Sequence, residues 1–347
     1  MNDPPHKTCG FAGNPGNHPT KPAVLRGTPE MMVDFCSRNK NLPKFLVPRS
    51  SFLIKNERGK YMTIKHSWQE GRRLKTANPM MNIESIIMAE RNDACNQIRD
   101  CFETAAADDY IFKKRKEGLK GFGIMHLLIA AYVRTVSQRP GINRFIRGQR
   151  VYARNNIEVA MTIKKEMRLD APDTVIKMEF PADATAEDVY RIVNKEIETA
   201  RTEESSFDDV AKVLGSLPRF MLKFAVWVLK KMDYHRMLPR SLSKLSPFHG
   251  SMIITSMGSL GIPPIYHHIY NFGNVPLFIS FGAKRSVVEL DKNGAPVNRK
   301  YVDYCVVTDE RICDGHYFAS ALKYMRTIMS SPEVLDNKPE QVIEDIK

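Results

Sequence analysis

The side chains best suited to chemistry cluster late in this sequence. The segment Val302-Asp303-Tyr304-Cys305-Val306-Val307-Thr308-Asp309-Glu310-Arg311-Ile312-Cys313-Asp314-Gly315 gathers carboxylates, thiols and a hydroxyl into one short run, and His316 follows it. Earlier come the hydroxyls of Thr255 and Ser256, just ahead of Gly258, Ser259 and Gly261, and the doublet His267-His268. Carboxylates and imidazoles move protons, and hydroxyls donate to a developing anion, so acid–base and electrostatic catalysis are within reach. Other chemistries lack their motifs. There is no G-x-G-x-x-G opening a helix, no Walker loop, no H-E-x-x-H and no zinc-finger spacing. A His–Glu metal pair is conceivable, but no ligand spacing supports one, so no metal is expected. Cys9, Cys36, Cys95, Cys101, Cys305 and Cys313 form no C-x-x-C pair and are irregularly spaced. In a chain of this length that pattern reads as reduced, intracellular thiols.

The chain has 347 residues, long enough for one large domain or two small ones with a substantial core. Apolar residues at 43% and charged residues at 26% argue against global disorder, collagen or a coiled coil. The unusual bulk feature is charge: 52 basic against 39 acidic residues leave +13. Such an excess suggests an anionic partner, whether nucleic acid, a membrane surface or a phosphorylated ligand. The basic clusters Asp233–Arg240 and Lys113–Lys120 belong to no known module, so they read as solvated faces and no nucleic-acid partner is expected. The start, MNDPPHKTCGFAGNPGNHP, has no apolar run and is not a secretory signal. No stretch approaches the roughly 18 uncharged apolar residues that a spanning helix needs. A soluble, cytoplasmic protein is expected.

The elements that must position these residues are read from spacing. Residues 1–41, rich in Pro, Gly and Asn, read as a disordered or extended arm. Phe52–Ile54 and Tyr61–Ile64 flank a turn and suggest a hairpin. Ile83 to Ala107 has helical spacing. Gly123–Val136 is apolar almost all round and should be a buried helix, on which His126 is more simply a satisfied core histidine than a reactive one. Ile157–Ile163 and Thr174–Phe180 are strand-like, with Asp170–Asp173 as a turn region. Thr185-Ala186-Glu187-Asp188 resembles a capping box and opens a helix carrying Val189, Ile192, Val193 and Ile197. Ser206–Asp209 starts another that ends at Gly215. Ser251–Ser256, Pro276–Phe281, Ser286–Leu290 and Lys300–Thr308 are strand-like, with Asn293-Gly294 as a hairpin signal. Phe318, Leu322, Met325 and Met329 then recur at helical spacing after Gly315. Helices early and antiparallel strands late favour an α/β two-layer sandwich with one mixed β-sheet packed against helices. Leu217–Met232 is an apolar helix with a basic stripe of Arg219, Lys223, Lys230 and Lys231. A core helix with a solvated edge is the simplest reading; a helix lying on an anionic membrane, or covering a hydrophobic channel, are the others.

The segment ending in Asp314-Gly315 resembles the strand and turn of the dihydrolipoamide acyltransferases and chloramphenicol acetyltransferase, whose signature is H-x-x-x-D-G. Ile254-Thr255-Ser256-Met257-Gly258-Ser259-Leu260-Gly261 is similar to that family's strand and Gly-rich turn. Gly123–Asn143, ending Arg139-Pro140-Gly141-Ile142-Asn143, resembles its helix, and Ile157-Glu158-Val159-Ala160-Met161 the strand after it. The resemblance is collinear from about residue 112 to 329 and weaker from Met62. It implies a chloramphenicol acetyltransferase-like fold spanning residues 42–335, with a helical insertion at 217–248 and a C-terminal tail at 336–347. With no lipoyl domain, it looks like a stand-alone bacterial relative of the 2-oxoacid dehydrogenase acyltransferase catalytic domain.

The resemblance further implies transfer of an acyl group from a thioester to a thiol, hydroxyl or amine, with coenzyme A as the acyl carrier and a homotrimer whose sites lie at subunit boundaries. By position, Thr255 falls on the hydroxyl that donates to the oxyanion, with Ser256 as its neighbour, and Asp314 on the structural aspartate, a role close to that of a helix N-cap. Gly258, Ser259 and Gly315 fall at the expected coenzyme contacts. Glu310 stands where the family has its catalytic histidine. An ordinary carboxylate is a weaker base than an imidazole by about two pKa units, and burial would be needed to close that gap. Three histidine sites offer substitutes: His316, His267-His268 and His126. Two functions therefore stand: an acyltransferase with altered chemistry, or an inactive relative that binds acyl-CoA or a partner. Peripheral membrane contact through Leu217–Met232 is a third, weaker reading.

Overall fold

In the computed structural model, residues 53–55, 61–63, 70–164, 173–202 and 215–346 are described, and the chain divides into the units Met1–His66 and Ser67–Lys347. The arm at 1–41, the turn at 170–172 and the helix starting at Ser206 lie outside the described residues. In the first unit, β1 (Leu53–Lys55) pairs antiparallel with β2 (Tyr61–Thr63), as the hairpin reading requires.

The second unit is built on a six-stranded sheet. Its strands are β4 (Cys95–Glu103), β7 (Ile157–Lys164), β8 (Asp173–Phe180), β9 (Met252–Ser256), β10 (Leu277–Leu290) and β11 (Pro296–Asp309), in the order β4-β11-β10-β9-β7-β8. β9 runs parallel to β7 and β10, and the other pairings are antiparallel. The sheet is thus mixed, and helices layer onto one of its faces, giving the α/β sandwich read from element order. On that face Ile254, Ile279 and Val306 stand in register and enter the main core. The opposite face carries Ile253, Phe278 and Val307, with the last two packed under Ile269.

The helix layer follows its sequence closely. Ile124–Gln138 is apolar all round and buried along almost its whole length. Ala186–Thr202 begins where the Thr185 hydroxyl accepts the Asp188 N–H and the Asp188 carboxylate accepts the Thr185 N–H, a reciprocal cap. Gly315–Ser330 starts at Asp314, whose carboxylate accepts the Tyr317 N–H at 2.8 Å, and buries Phe318, Met325 and Met329. The strand-like runs Pro276–Phe281 and Ser286–Leu290 are one strand, interrupted by a register shift between Phe281 and Lys284.

Three features differ from the sequence reading. Ile83–Ala107 is not one helix. It contains the end of α1 (Pro79–Ile87), the strand β4 and the start of α2 (Ala105–Lys116). β4 lies at the sheet edge and pairs along its length with β11, so most of its side chains are polar and partly solvated. Its inward residues, Ile98 and Phe102, are four apart, which matches helical spacing by coincidence. A second sheet was also missed: β3 (Gly71–Arg73), β5 (Arg144–Arg147) and β6 (Arg150–Arg154), in the order β3-β6-β5. The β5–β6 turn places both Gly148 and Gln149 at positive φ, as a two-residue type I′ turn requires.

The third difference is the insertion. With Ile124–Gln138 as α3 and Ala186–Thr202 as α4, the apolar run becomes α5 (Arg219–Tyr234), followed by α6 (Arg240–Leu245) and then α7 (Gly315–Ser330). α5 is not a core helix, because Asp233 is its one buried residue. Electrostatics fix its end: Asp233 lies 3.0 Å from Arg147 and 3.2 Å from His249. The last residues return to the domain. Ile343 donates its N–H to the Ser137 carbonyl at 2.8 Å, and Asp345 pairs with buried Arg144 at 2.6 Å. Among the described residues, no helix is long and apolar enough to cross a membrane.

Candidate functional site

Thr255 sits near the end of β9 on the sheet face away from the helices, in register with Ser280 and, one strand further, Cys305. It lines a cavity of about 330 Å³, a volume typical of small-molecule sites. The walls are Ala160, Thr162 and Val175 from β7 and β8, Ile253 and Phe278 from the sheet, and Pro247, Phe248, Ile265, His267 and Tyr270 from the segments folded over it. The Thr255 hydroxyl has no hydrogen-bond partner among the described residues, so it is free to donate to a ligand oxygen in this apolar chamber.

The covering segment is pinned to the sheet by Ser280, which accepts the Ile265 N–H at 3.0 Å and donates its own hydroxyl to the Ile265 carbonyl. His267 then lies flat on Phe278, with ring centroids 4.1 Å apart and planes within 5°. Its Nδ1 is 2.9 Å from the His268 carbonyl oxygen. A carbonyl can only accept, so Nδ1 donates there, which in a neutral ring leaves Nε2 as the acceptor. Thr255, the sequence's oxyanion candidate, and His267, one of its substitute bases, therefore share one cavity in one chain.

The turn after β9 is held by packing. The Met257 N–H donates to the Phe281 carbonyl at 2.8 Å, and a Cβ on Gly258 would come within 2.8 Å of the Gly282 carbonyl oxygen. Ser259 donates to the Ser256 carbonyl at 3.2 Å. Gly315 is the first residue of α7, and a Cβ there would meet open space.

Glu310 lies elsewhere on the sheet. It opens the single turn Glu310–Ile312 after β11 and is exposed. Its flanks are rigid. Asp309 is buried and accepts the Arg311 side chain through Nε at 2.8 Å and a terminal nitrogen at 2.7 Å. Arg311 also donates to the Met88 carbonyl at 2.7 Å, and the second buried arginine, Arg91, approaches Asp309 at 3.9 Å and donates to the Ile146 carbonyl. Arg144 donates to the Ile312 carbonyl. Cys313, three residues after Glu310, is a buried thiol pushed up to about 12 by desolvation, so it is not a nucleophile near neutral pH.

The other histidines separate. His126 is buried, accepts the Gly123 N–H on Nδ1 at 3.2 Å and stacks on Phe122; burial lowers it to about 4, which keeps it neutral and structural. His316 is exposed on the first turn of α7. The sequence reading missed a buried polar network. Glu70 accepts Arg147 at 2.9 Å and Asn274 at 2.5 Å, with Arg154 3.8 Å away, and the chain continues through Arg147 to Asp233 and His249. Burial pushes the Glu70 carboxyl up, but Arg147 and Arg154 outweigh it and hold it at about 2. These residues are dispersed along the chain with no spacing that marks them. Among the described residues no group of three or more His, Cys, Asp or Glu side chains is gathered as a metal site.

No family model and no curated protein matches the sequence. Solved structures are similar in fold. One is a probable dihydrolipoamide acetyltransferase from Listeria monocytogenes: 14% identity, TM-score 0.48, covering 76% of this chain and 92% of that one. Another is a dihydrolipoamide acetyltransferase from Azotobacter vinelandii: 11% identity, TM-score 0.46, covering 83% and 99%. A third is a chloramphenicol acetyltransferase: 11% identity, TM-score 0.44, covering 75% and 99%. These are likenesses of fold.

Proposed function

We propose that this chain is an acyltransferase that uses a coenzyme A thioester as acyl donor and works as a homotrimer. The observation that carries the reading is the unengaged Thr255 hydroxyl on the floor of the apolar cavity. The cavity takes the acyl chain and the thioester carbonyl. A base removes the proton of an alcohol, amine or thiol acceptor as its heteroatom bonds to the carbonyl carbon. The carbonyl electron pair moves onto oxygen, where Thr255 donates to it. Collapse breaks the C–S bond, and the proton passes from the base to the departing sulfur.

In the first form of this reading, the base is Glu310 of a neighbouring copy, presented on the stiff turn held by Asp309 and Arg311. A second form has a specific observation in its favour: His267 lines the same cavity as Thr255, and its Nδ1 is engaged by the His268 carbonyl, which leaves Nε2 as the nitrogen available to an acceptor. Thiol release from a panel of acyl-CoA thioesters, in the presence of acceptor amines and alcohols, separates the two. Loss of turnover in Glu310→Ala with His267→Asn active supports the first form; the reverse supports the second. Thermal stabilisation by acyl-CoA without turnover identifies an inactive, ligand-binding relative. Neither turnover nor stabilisation removes the acyltransferase reading.

A further inference from the structure

The acyl-transfer reading makes no use of α5, the helix with the most exposed large side chains in the insertion. Phe220, Phe224 and Trp227 are 74%, 65% and 56% exposed. Spaced four and three apart, they form one row along the helix. Phe224 and Trp227 stack on each other, centroids 6.0 Å apart, so one side of each ring is already engaged. Arg219, Lys223 and Lys230, spaced four and seven apart, run along the edge beside that row, and Lys231 ends it; all four are exposed. None forms an ion pair among the described residues. The helix has a single acidic residue, Asp233, and it is buried against Arg147 and His249 on the other side.

We infer that α5 docks this protein on an anionic lipid surface, lying in the plane of the interface with its aromatic row in the acyl boundary and its cations among the headgroups. A row of bare rings needs an apolar partner, and a bare cationic edge needs an anionic one; an acidic bilayer offers both along one plane. A second copy of the same face would set like charges against like charges. A soluble polyanion would satisfy the cations and leave the rings in water. α5 is too short and too charged to cross the bilayer, and Asp233 anchors its C-terminal end to Arg147. The inference does not depend on the acyl-transfer reading.

The test is co-sedimentation of the full chain with vesicles of phosphatidylcholine alone and of phosphatidylcholine with phosphatidylglycerol. Binding to the acidic vesicles only, weakened by high salt, is expected. A blue shift of tryptophan emission on binding, absent in Trp227→Phe, places the ring row in the boundary. Arg219→Glu with Lys223→Glu and Lys230→Glu should weaken binding at least about tenfold, and Phe220→Ser with Phe224→Ser should weaken it with the charges intact. Melting curves of the variants confirm that they are folded. The inference is overturned by no binding to acidic vesicles at low salt, or by folded variants that bind as the wild type does. Self-association or oligonucleotide binding that is lost in the same variants, without vesicle binding, assigns the face to another partner and also overturns it.

Discussion

Thr255 lies on β9, and Glu310 follows the end of β11, two strands away in the same sheet. Thr255 aligns with Ser280 on β10, and Ser280 with Cys305 on β11. Glu310 follows Cys305 by five residues, about 16 Å further along the strand direction, and it is two strands over. In a single copy no small acyl group bridges the two. A site that uses both must be built from two copies, whereas His267 reaches the Thr255 cavity from within its own chain.

Co-expression of two inactive variants tests this geometry. If the site forms at a boundary between copies, mixing Glu310→Ala with Thr255→Ala chains restores intact sites at about a quarter of boundaries. If both groups that matter lie in one chain, as for His267 and Thr255, mixing His267→Asn with Thr255→Ala restores nothing. Steady-state thiol release from purified mixed oligomers reads the difference.

Replacing Thr255 isolates the oxyanion contact. Thr255→Val keeps the shape and removes the donor, and should lower turnover by roughly 10²–10³-fold, while Thr255→Ser retains most of it. Because the hydroxyl bonds to no group among the described residues, the melting temperature should stay close to that of the wild type. A large fall in melting temperature would mean the residue is structural.

The turn that carries Glu310 depends on a buried charge pair. Arg311 and Asp309 are 2% and 1% exposed, so Arg311→Met leaves a carboxylate with Arg91 as its remaining cation, 3.9 Å away. The expected cost is about 3–5 kcal/mol, by urea unfolding. Asp309→Asn together with Arg311→Met removes both charges and should cost less than Arg311→Met alone.

Acid should unfold the protein in two stages. Burial holds His126 at about 4, below its usual 6.5, so the unfolded chain takes that proton first; stability is full above pH 6.5 and falls as the pH drops toward 4. Buried His249 is also lowered, with the same sign. Glu70 is held at about 2 against its usual 4.5, so its contribution is present above pH 4.5 and is lost as the pH falls toward 2. His126→Gln keeps an acceptor for the Gly123 N–H without titrating. Melting curves from pH 8 to 3 should show the first stage reduced by up to about 3 kcal/mol in that variant.

How much of this was readable in the chain depended on where each residue finds its partner. Gly123–Val136 announced α3 because its apolar residues surround the helix. Asn293-Gly294 announced the β10–β11 hairpin because Gly294 takes a positive φ of 79° within the turn itself. Thr185 and Asp314 announced helix starts because their partners are three residues away. β4 was not readable, since its identity comes from β11 some two hundred residues on, and an edge strand with one partner keeps a polar, partly solvated sequence. α5 was misjudged as core because apolar composition does not say whether a surface exists to cover it.

The sequence by itself determined α3, the capped helix starts, the β10–β11 hairpin, the mixed α/β class and the candidates Thr255, His267 and Glu310, because helix periods, caps and turns are settled within a few residues. Tertiary structure alone decided which candidates meet. It placed Thr255 and His267 in one cavity, left Glu310 exposed just after β11, and buried Asp309 with two arginines. It also joined Glu70, Arg147, Asp233 and His249 into one network. Those outcomes follow from strand register and desolvation, which act between residues distant in the chain, and no spacing along the chain encodes them.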